Sequence, residues 1–170
     1  IAGLELYLPL IAGAKVILTT KESSVDGNSL LELINSKKVT VMQATPSTWR
    51  LMLSAGWNKK LGIKILCGGE ALPRELANDL IKLEGSLWNM YGPTETTIWS
   101  AVKKIDSTEG LVLVGKPIAN TQFYVMDQYN QPVPIGVAGE LLIGGDGLAR
   151  GYFNRPDLTN DRFIINLFDA

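Results

Sequence analysis

Nine consecutive residues, Asn89-Met90-Tyr91-Gly92-Pro93-Thr94-Glu95-Thr96-Thr97, bring together an aromatic ring, a rigid turn, several hydroxyls and one carboxylate. A Gly-Pro pair turns the backbone sharply, which puts Tyr91 and Glu95 at the two ends of a short, defined loop. A ring at one end can stack on a base, and a carboxylate at the other can hold a cation. The bland alternative is an ordinary turn joining two strands. A second candidate is the turn Gly68-Gly69-Glu70, where paired glycines let a backbone or ligand approach closely and Glu70 is either a ligand contact or simply solvated.

The surrounding elements must bring these loops together. Ala14 to Thr20 reads as a strand, and Ser29-Leu30-Leu31-Glu32 has the Ser-x-x-Glu form of a capping box opening a helix to about Ser36. Val39 to Ala44 is the next strand. Thr45 caps a helix with Pro46 in its first turn, where a missing N–H costs nothing, and Gly56 ends it after Ala55. Lys64 to Gly68 makes a third strand. Pro73 opens a helix whose Leu76, Ala77, Leu80 and Ile81 share one face, and Gly85 stops it. Ser86 to Met90 is the fourth strand, leading into the Tyr91 loop.

Alternating strands and helices predict an α/β fold with a largely parallel sheet covered by helices. Ligands in such folds bind at the carboxyl ends of the strands, so Gln43, the Gly68-Gly69-Glu70 turn and the Tyr91 loop are expected to open on one crevice. After Trp99 the texture changes to short strands divided by Gly, Pro and Asn: Gln122 to Met126, a turn near 130–134, then Glu140 to Ile143 and a Gly144-Gly145-Asp146-Gly147 turn. This predicts a small β-barrel-like region. The expected division is an α/β portion over 1–102 and a β-rich portion over 103–170. The glycines of 140–152 lack the Lys-Ser/Thr of a phosphate-binding loop, so this segment reads as a structural hairpin, with Arg150 pairing to a neighbour such as Glu140. Trp49 and Trp88 read as core or helix-face aromatics.

Composition narrows the function. The 170 residues are 46% hydrophobic and 19% charged, enough for a sizeable core. With 16 Lys and Arg against 17 Asp and Glu, and no basic run, electrostatics give no support to nucleic-acid or membrane binding. Cys67 has no second cysteine to pair with, and no histidine is present for a soft-metal site; a reducing, cytoplasmic setting is expected. The apolar stretch Ile1 to Ile11 contains Glu5 and Pro9 and lacks a basic leader, so it reads as the interior of a cut domain and not as a signal peptide. The stretch Phe163 to Ala170 likewise stops without a turn signal.

Gly68-Gly69-Glu70, Asn89 to Glu95, Gly139 to Tyr152 and Asn154-Arg155-Pro156-Asp157-Leu158-Thr159 together resemble the adenylate-forming enzymes, and more narrowly the adenylation domains of nonribosomal peptide synthetases. The resemblance spans essentially the whole chain, in order. It implies that 1–170 is a partial adenylation domain, from the large N-terminal subdomain onward. The implied reaction is ATP-dependent activation of an amino acid as its adenylate, followed by transfer to the phosphopantetheine thiol of a carrier protein. Peptidyl carrier and condensation domains of the parent synthetase are the implied partners.

By the same resemblance Tyr91 stacks on adenine, while Asn89, Gly69 and Glu70 flank the base. Thr94 sits near the phosphate and Glu95 ligates Mg²⁺, a hard cation that prefers oxygen. The substrate-pocket positions are Ile1, Leu4, Gln43, Leu66, Gly68, Met90, Ile98 and Trp99. Several are bulky and none is charged, and the set resembles glycine-activating pockets, with alanine the next candidate; a charged side chain would be buried unpaired. The family's phosphate loop and amino-group-binding aspartate would lie upstream, and its ribose-binding aspartate and carboxylate-contacting lysine downstream. Two alternatives share much of this pattern: an acyl- or aryl-CoA ligase of the same superfamily, and a non-catalytic module that keeps the fold without turnover.

Overall fold

The strands expected around 39–44, 64–68 and 86–90 form one sheet in the computed structural model, which describes residues 1–166 and 168. β1 (Val41–Ala44), β2 (Lys64–Gly68) and β3 (Leu87–Tyr91) run parallel in chain order, with Ala44 opposite Cys67 and Gly68 opposite Met90. Each parallel step needs a helical crossover. α4 (Pro46–Ser54) supplies the first and α5 (Arg74–Glu84) the second. β4 (Ala101–Ile105) then pairs antiparallel with β3, and β5 (Lys116–Pro117) follows it in the sheet. β4 went unread because its burial pattern, with two exposed lysines between buried ends, breaks the two-residue period.

The helices form largely where their caps say they should. Thr45 accepts a hydrogen bond from the Thr48 N–H to open α4, and Gly85, at φ +68°, closes α5. Around them Trp49, Met52, Leu76 and Leu80 pack with Ile65, Cys67 and Leu87 in one apolar core. The Trp49 indole N–H donates to the Ala44 carbonyl at 3.2 Å, so its polar edge is satisfied. α3 (Gly27–Lys37) starts two residues before the expected Ser29 cap, because Asp26 competes for the same role. The Asp26 carboxylate accepts the Ser29 N–H at 3.0 Å and the Ser29 hydroxyl, and these bonds hold its pKa below the usual carboxylate range. Gly27 is set by packing: a Cβ there would lie 2.6 Å from the Leu51 carbonyl oxygen on α4.

The expected strand at Ala14–Thr20 does not form. The segment belongs to no ladder among the described residues, and Leu18 is 76% exposed. β-branched residues fit a strand only when a neighbour supplies the pairing, so propensity alone is insufficient here. The apolar run before it is α1 (Ala2–Ile11), with Pro9 inside, followed after the extended segment by the short α2 (Lys21–Ser24).

Two compact units divide the chain: Ile1–Tyr91 with Ala101–Lys116, and Gly92–Ser100 with Pro117–Ala170. The second contains β6 (Thr121–Met126) and β7 (Glu140–Gly145), antiparallel with Met126 opposite Glu140, and α6 (Pro156–Arg162). This small sheet occupies the expected β-rich texture. Asp127 organises the turn after β6 by accepting the Tyr129 and Gln131 N–H groups at 2.8 and 2.9 Å. The segment after β7 is not the expected hairpin, since β7 takes β6 as its partner and the residues beyond Gly145 form no strand. Among the described residues no ion pair joins Arg150 to Glu140. No helix among them is long and apolar enough to cross a membrane. The end of the apolar stretch from Phe163 lies outside the described residues at 167, 169 and 170.

Candidate active site

Parallel register makes one sheet edge from the carboxyl ends of β1, β2 and β3, where Ala44, Gly68 and Tyr91 end their strands. Side chains alternate across a sheet, so register also sets which of them share a face. Gln43 stands opposite Leu66, and Gly68 opposite Met90, which puts all four of these expected pocket positions on one face. The other face carries Ile65, Cys67 and Leu87 into the core. Burial, then the nearby Glu70 carboxylate, pushes the Cys67 thiol up to about 12, which keeps it protonated and inert.

Helix α1 meets the same face through a contact absent from the sequence reading: the Gln43 amide donates to the Glu5 carboxylate at 2.8 Å. Leu4, beside Glu5, is half-buried, while Ile1 is exposed. A carboxylate therefore touches the otherwise uncharged set, with a hydrogen-bond donor already on it. Sequence reasoning saw Glu5 only as a charge interrupting an apolar run. No local pattern links residues 38 positions apart.

At the edge itself Gly69 adopts φ +88°, a left-handed conformation that glycine enters freely. The Ser47 hydroxyl, in the first turn of α4, donates to Glu70 at 3.0 Å. Glu70 is thus exposed yet tethered to the neighbouring loop. Asn89 is buried, and its amide donates to the Leu113 carbonyl at 2.9 Å, fixing the side chain. Tyr91, the last residue of β3, is half-buried. Trp88, on the pocket-side face, lies 5.9 Å from the Lys104 Nζ in a cation–π contact.

In the second unit the chain makes a short 3₁₀ turn at Thr94–Thr96. Gly92 is required there, because a Cβ would lie 2.3 Å from the Ile98 carbonyl oxygen. Thr97 and Ile98 hold φ of +55° and +71°, which β-branched residues rarely adopt and which marks stored strain in the loop. The buried Ser100 hydroxyl pairs with that of Thr96, which also donates to the Pro93 carbonyl at 3.2 Å. Trp99 is buried, Ile98 half-buried and Thr94 exposed.

Glu95 is half-buried, and the Tyr152 phenol donates to its carboxylate. Its backbone carbonyl accepts the Ala149 N–H at 2.8 Å. Tyr152 was missed because the glycines around it suggested a hairpin. Among the described residues no group of three or more His, Cys, Asp or Glu gathers to hold a metal. The Glu95 carboxylate is nonetheless an oxygen donor of the kind that suits Mg²⁺, which completes its shell with water and substrate phosphates.

Residues 1–153 match the family described as AMP-binding enzyme. The dimodular nonribosomal peptide synthase of Bacillus subtilis (strain 168) is 50% identical over 167 residues, which are 98% of this chain and 7% of that protein. A solved four-domain nonribosomal peptide synthetase bound to AMP and glycine superposes with a TM-score of 0.90 at 47% identity, over 96% of this chain and 12% of the other. The synthetase FmoA3, in an α-methyl-L-serine-AMP bound form, gives a TM-score of 0.84 at 26% identity, over 95% of this chain and 20% of the other. The chain spans a small part of each relative's length. From the match over 1–153 and these likenesses to nonribosomal peptide synthetases, the chain belongs to the AMP-binding enzyme family.

Proposed function

We propose that this chain contributes the nucleotide and amino-acid contacts of an adenylation domain that activates glycine for nonribosomal peptide synthesis. The observation that carries the reading is the shared face of Gln43, Leu66, Gly68 and Met90 at the ligand-binding edge of the sheet. The bound glycine of the 47% identical synthetase supports the small substrate. Ile1, Leu4, Ile98 and Trp99 complete the set that the family resemblance assigns to substrate. Alanine is the nearest competitor, since one methyl changes binding by only about 1–3 kcal/mol.

In this reading the Tyr91 ring stacks on the adenine, and Asn89, Gly69 and Glu70 line the base. Asn89 stands opposite Cys67, on the face turned to the core, and its amide is held by the Leu113 carbonyl. The Thr94 hydroxyl donates to a phosphate oxygen, and Glu95 holds the cation. Mg²⁺, when bound, neutralises charge on the ATP phosphates. The chain's own task is to fix the phosphates and the amino acid so that the carboxylate lies in line with the α-phosphorus. Carboxylate oxygen then bonds to that phosphorus as pyrophosphate leaves. Transfer to a carrier-protein phosphopantetheine thiol would follow, in a cytoplasmic synthetase with carrier and condensation domains.

Amino-acid-dependent ATP–pyrophosphate exchange on the complete parent domain tests this. Exchange is expected with glycine, falling by about 10²-fold or more in Glu95→Ala, as for other losses of charge stabilisation. Trp99→Ala is expected to admit alanine and larger amino acids. Exchange confined to aryl or fatty acids would instead identify a CoA ligase, and no exchange from a folded domain would identify a non-catalytic module.

A further inference from the structure

The segment after β7 reads in sequence as scaffolding, yet the structure gives it a specific partner. Its residues grip Glu95 at both ends: the Ala149 N–H donates to the Glu95 carbonyl at 2.8 Å, and the Tyr152 phenol donates to the Glu95 carboxylate. Close approach explains two of its glycines. A Cβ at Gly147 would lie 2.8 Å from the Thr96 carbonyl oxygen. One at Gly151, whose φ is +134°, would lie 2.5 Å from the Thr159 Cγ2.

Tyr152 is itself fixed. Its N–H donates to the Thr159 hydroxyl at 2.9 Å, and that hydroxyl donates to the Arg155 carbonyl at 2.9 Å, which ties Tyr152 to the first turns of α6. The Tyr152 ring packs edge-on to Phe163, with centroids 5.8 Å apart. The phenol therefore reaches Glu95 from a held ring, across 57 residues of sequence.

We propose that Tyr152 is a positioning residue for the cation site: its phenol, bonded to Oε1, holds the Glu95 carboxylate in one rotamer. This rests on the reading of Glu95 as the Mg²⁺ ligand. A free glutamate side chain samples several rotamers, and cation binding must then fix it; a second residue donating to a ligating carboxylate removes that cost in advance. One phenol donates one proton, so it anchors the carboxylate without consuming its remaining lone pairs.

The test uses the complete parent protein and Mn²⁺, observed by electron paramagnetic resonance, with a non-hydrolysable ATP analogue. Tyr152→Phe keeps the ring against Phe163 and removes only the hydroxyl. It is expected to weaken Mn²⁺ binding by roughly 10-fold, the lower end for loss of a partner behind a metal ligand. The Mg²⁺ concentration for half-maximal exchange should rise in parallel, with high Mg²⁺ restoring the rate and the thermal midpoint nearly unchanged. A purely structural tyrosine would lower the midpoint and leave the metal dependence alone.

Unchanged Mn²⁺ affinity in folded Tyr152→Phe overturns the proposal. Natural protein that binds Mn²⁺ with the analogue but gives no exchange overturns adenylation alone, and the binding comparison still decides the role of Tyr152. Natural protein that binds no Mn²⁺ overturns both.

Discussion

Thr97 and Ile98 hold positive φ side by side, in a loop that also requires Gly92 and buries Trp99. Left-handed backbone costs a β-branched residue about 1–3 kcal/mol, and the surrounding structure must over-determine it to persist. The paired Thr96 and Ser100 hydroxyls and the approach of Gly147 to Thr96 supply that determination. Thr97 is exposed, so replacing it removes strain and little packing. Thr97→Gly is therefore expected to raise the stability of the complete domain by about 0.5–1 kcal/mol, after allowing for the added freedom of glycine when unfolded. Glycine-dependent exchange should fall at the same time, because Ile98 loses its fixed direction. Urea unfolding and exchange on the same variant check both; a loss of stability would mean that the observed conformation is not strained. The sequence offered no sign of this strain, since nothing in Thr-Thr-Ile-Trp differs from an ordinary apolar run. It did display Tyr91, Glu95 and the Gly-Pro turn, whose chemistry is local.

Elements with local signals were legible, and elements needing a distant partner were not. α4 and α5 formed within a residue or two of their caps, because Thr45, Pro46 and Gly85 act on their own turns. β1, β2 and β3 formed from short apolar runs between helices. β4 went unread because its two exposed lysines break the two-residue period, and Ala14–Thr20 failed as a strand because strand formation depends on a neighbour that the sequence does not name. The brace from Ala149 to Tyr152 was hidden in the same way. Glu84 shows how such distant bonds hold elements together. It closes α5 and is buried, and its carboxylate accepts the Gly62 and Ile63 N–H groups at 2.8 and 3.0 Å, together with that of Leu61. The end of α5 is thereby tied to the entry of β2. Glu84→Ala would leave these donors to water or unpaired. A loss of about 2–4 kcal/mol is expected, since bonds to charged acceptors are the stronger ones and the Ile63 N–H is buried. Chemical denaturation of the parent domain measures it, and a change under 1 kcal/mol would show that water replaces the carboxylate fully.

At the scale of the whole chain, composition correctly indicated a large core while concealing how much apolar surface stays outside it. None of the ten residues of α1 is buried. Tyr7, Leu10 and Ile11 are 68%, 58% and 82% exposed, and the extended segment beyond them presents Leu18. Contiguous apolar surface of this kind promotes association, and a net charge of −1 gives little repulsion to oppose it. The 170-residue chain produced by itself is therefore expected to bind a hydrophobic dye such as ANS and to self-associate at micromolar concentration. Lysine at Tyr7, Leu10 and Ile11 together should reduce both, because these positions contribute exposure and no core packing. Sedimentation velocity and dye fluorescence on the two chains provide the comparison. Monomeric, dye-silent behaviour of the natural sequence would mean that α1 packs against the rest of the chain in solution. Equal association of both chains would move the cause to the apolar residues beyond α1.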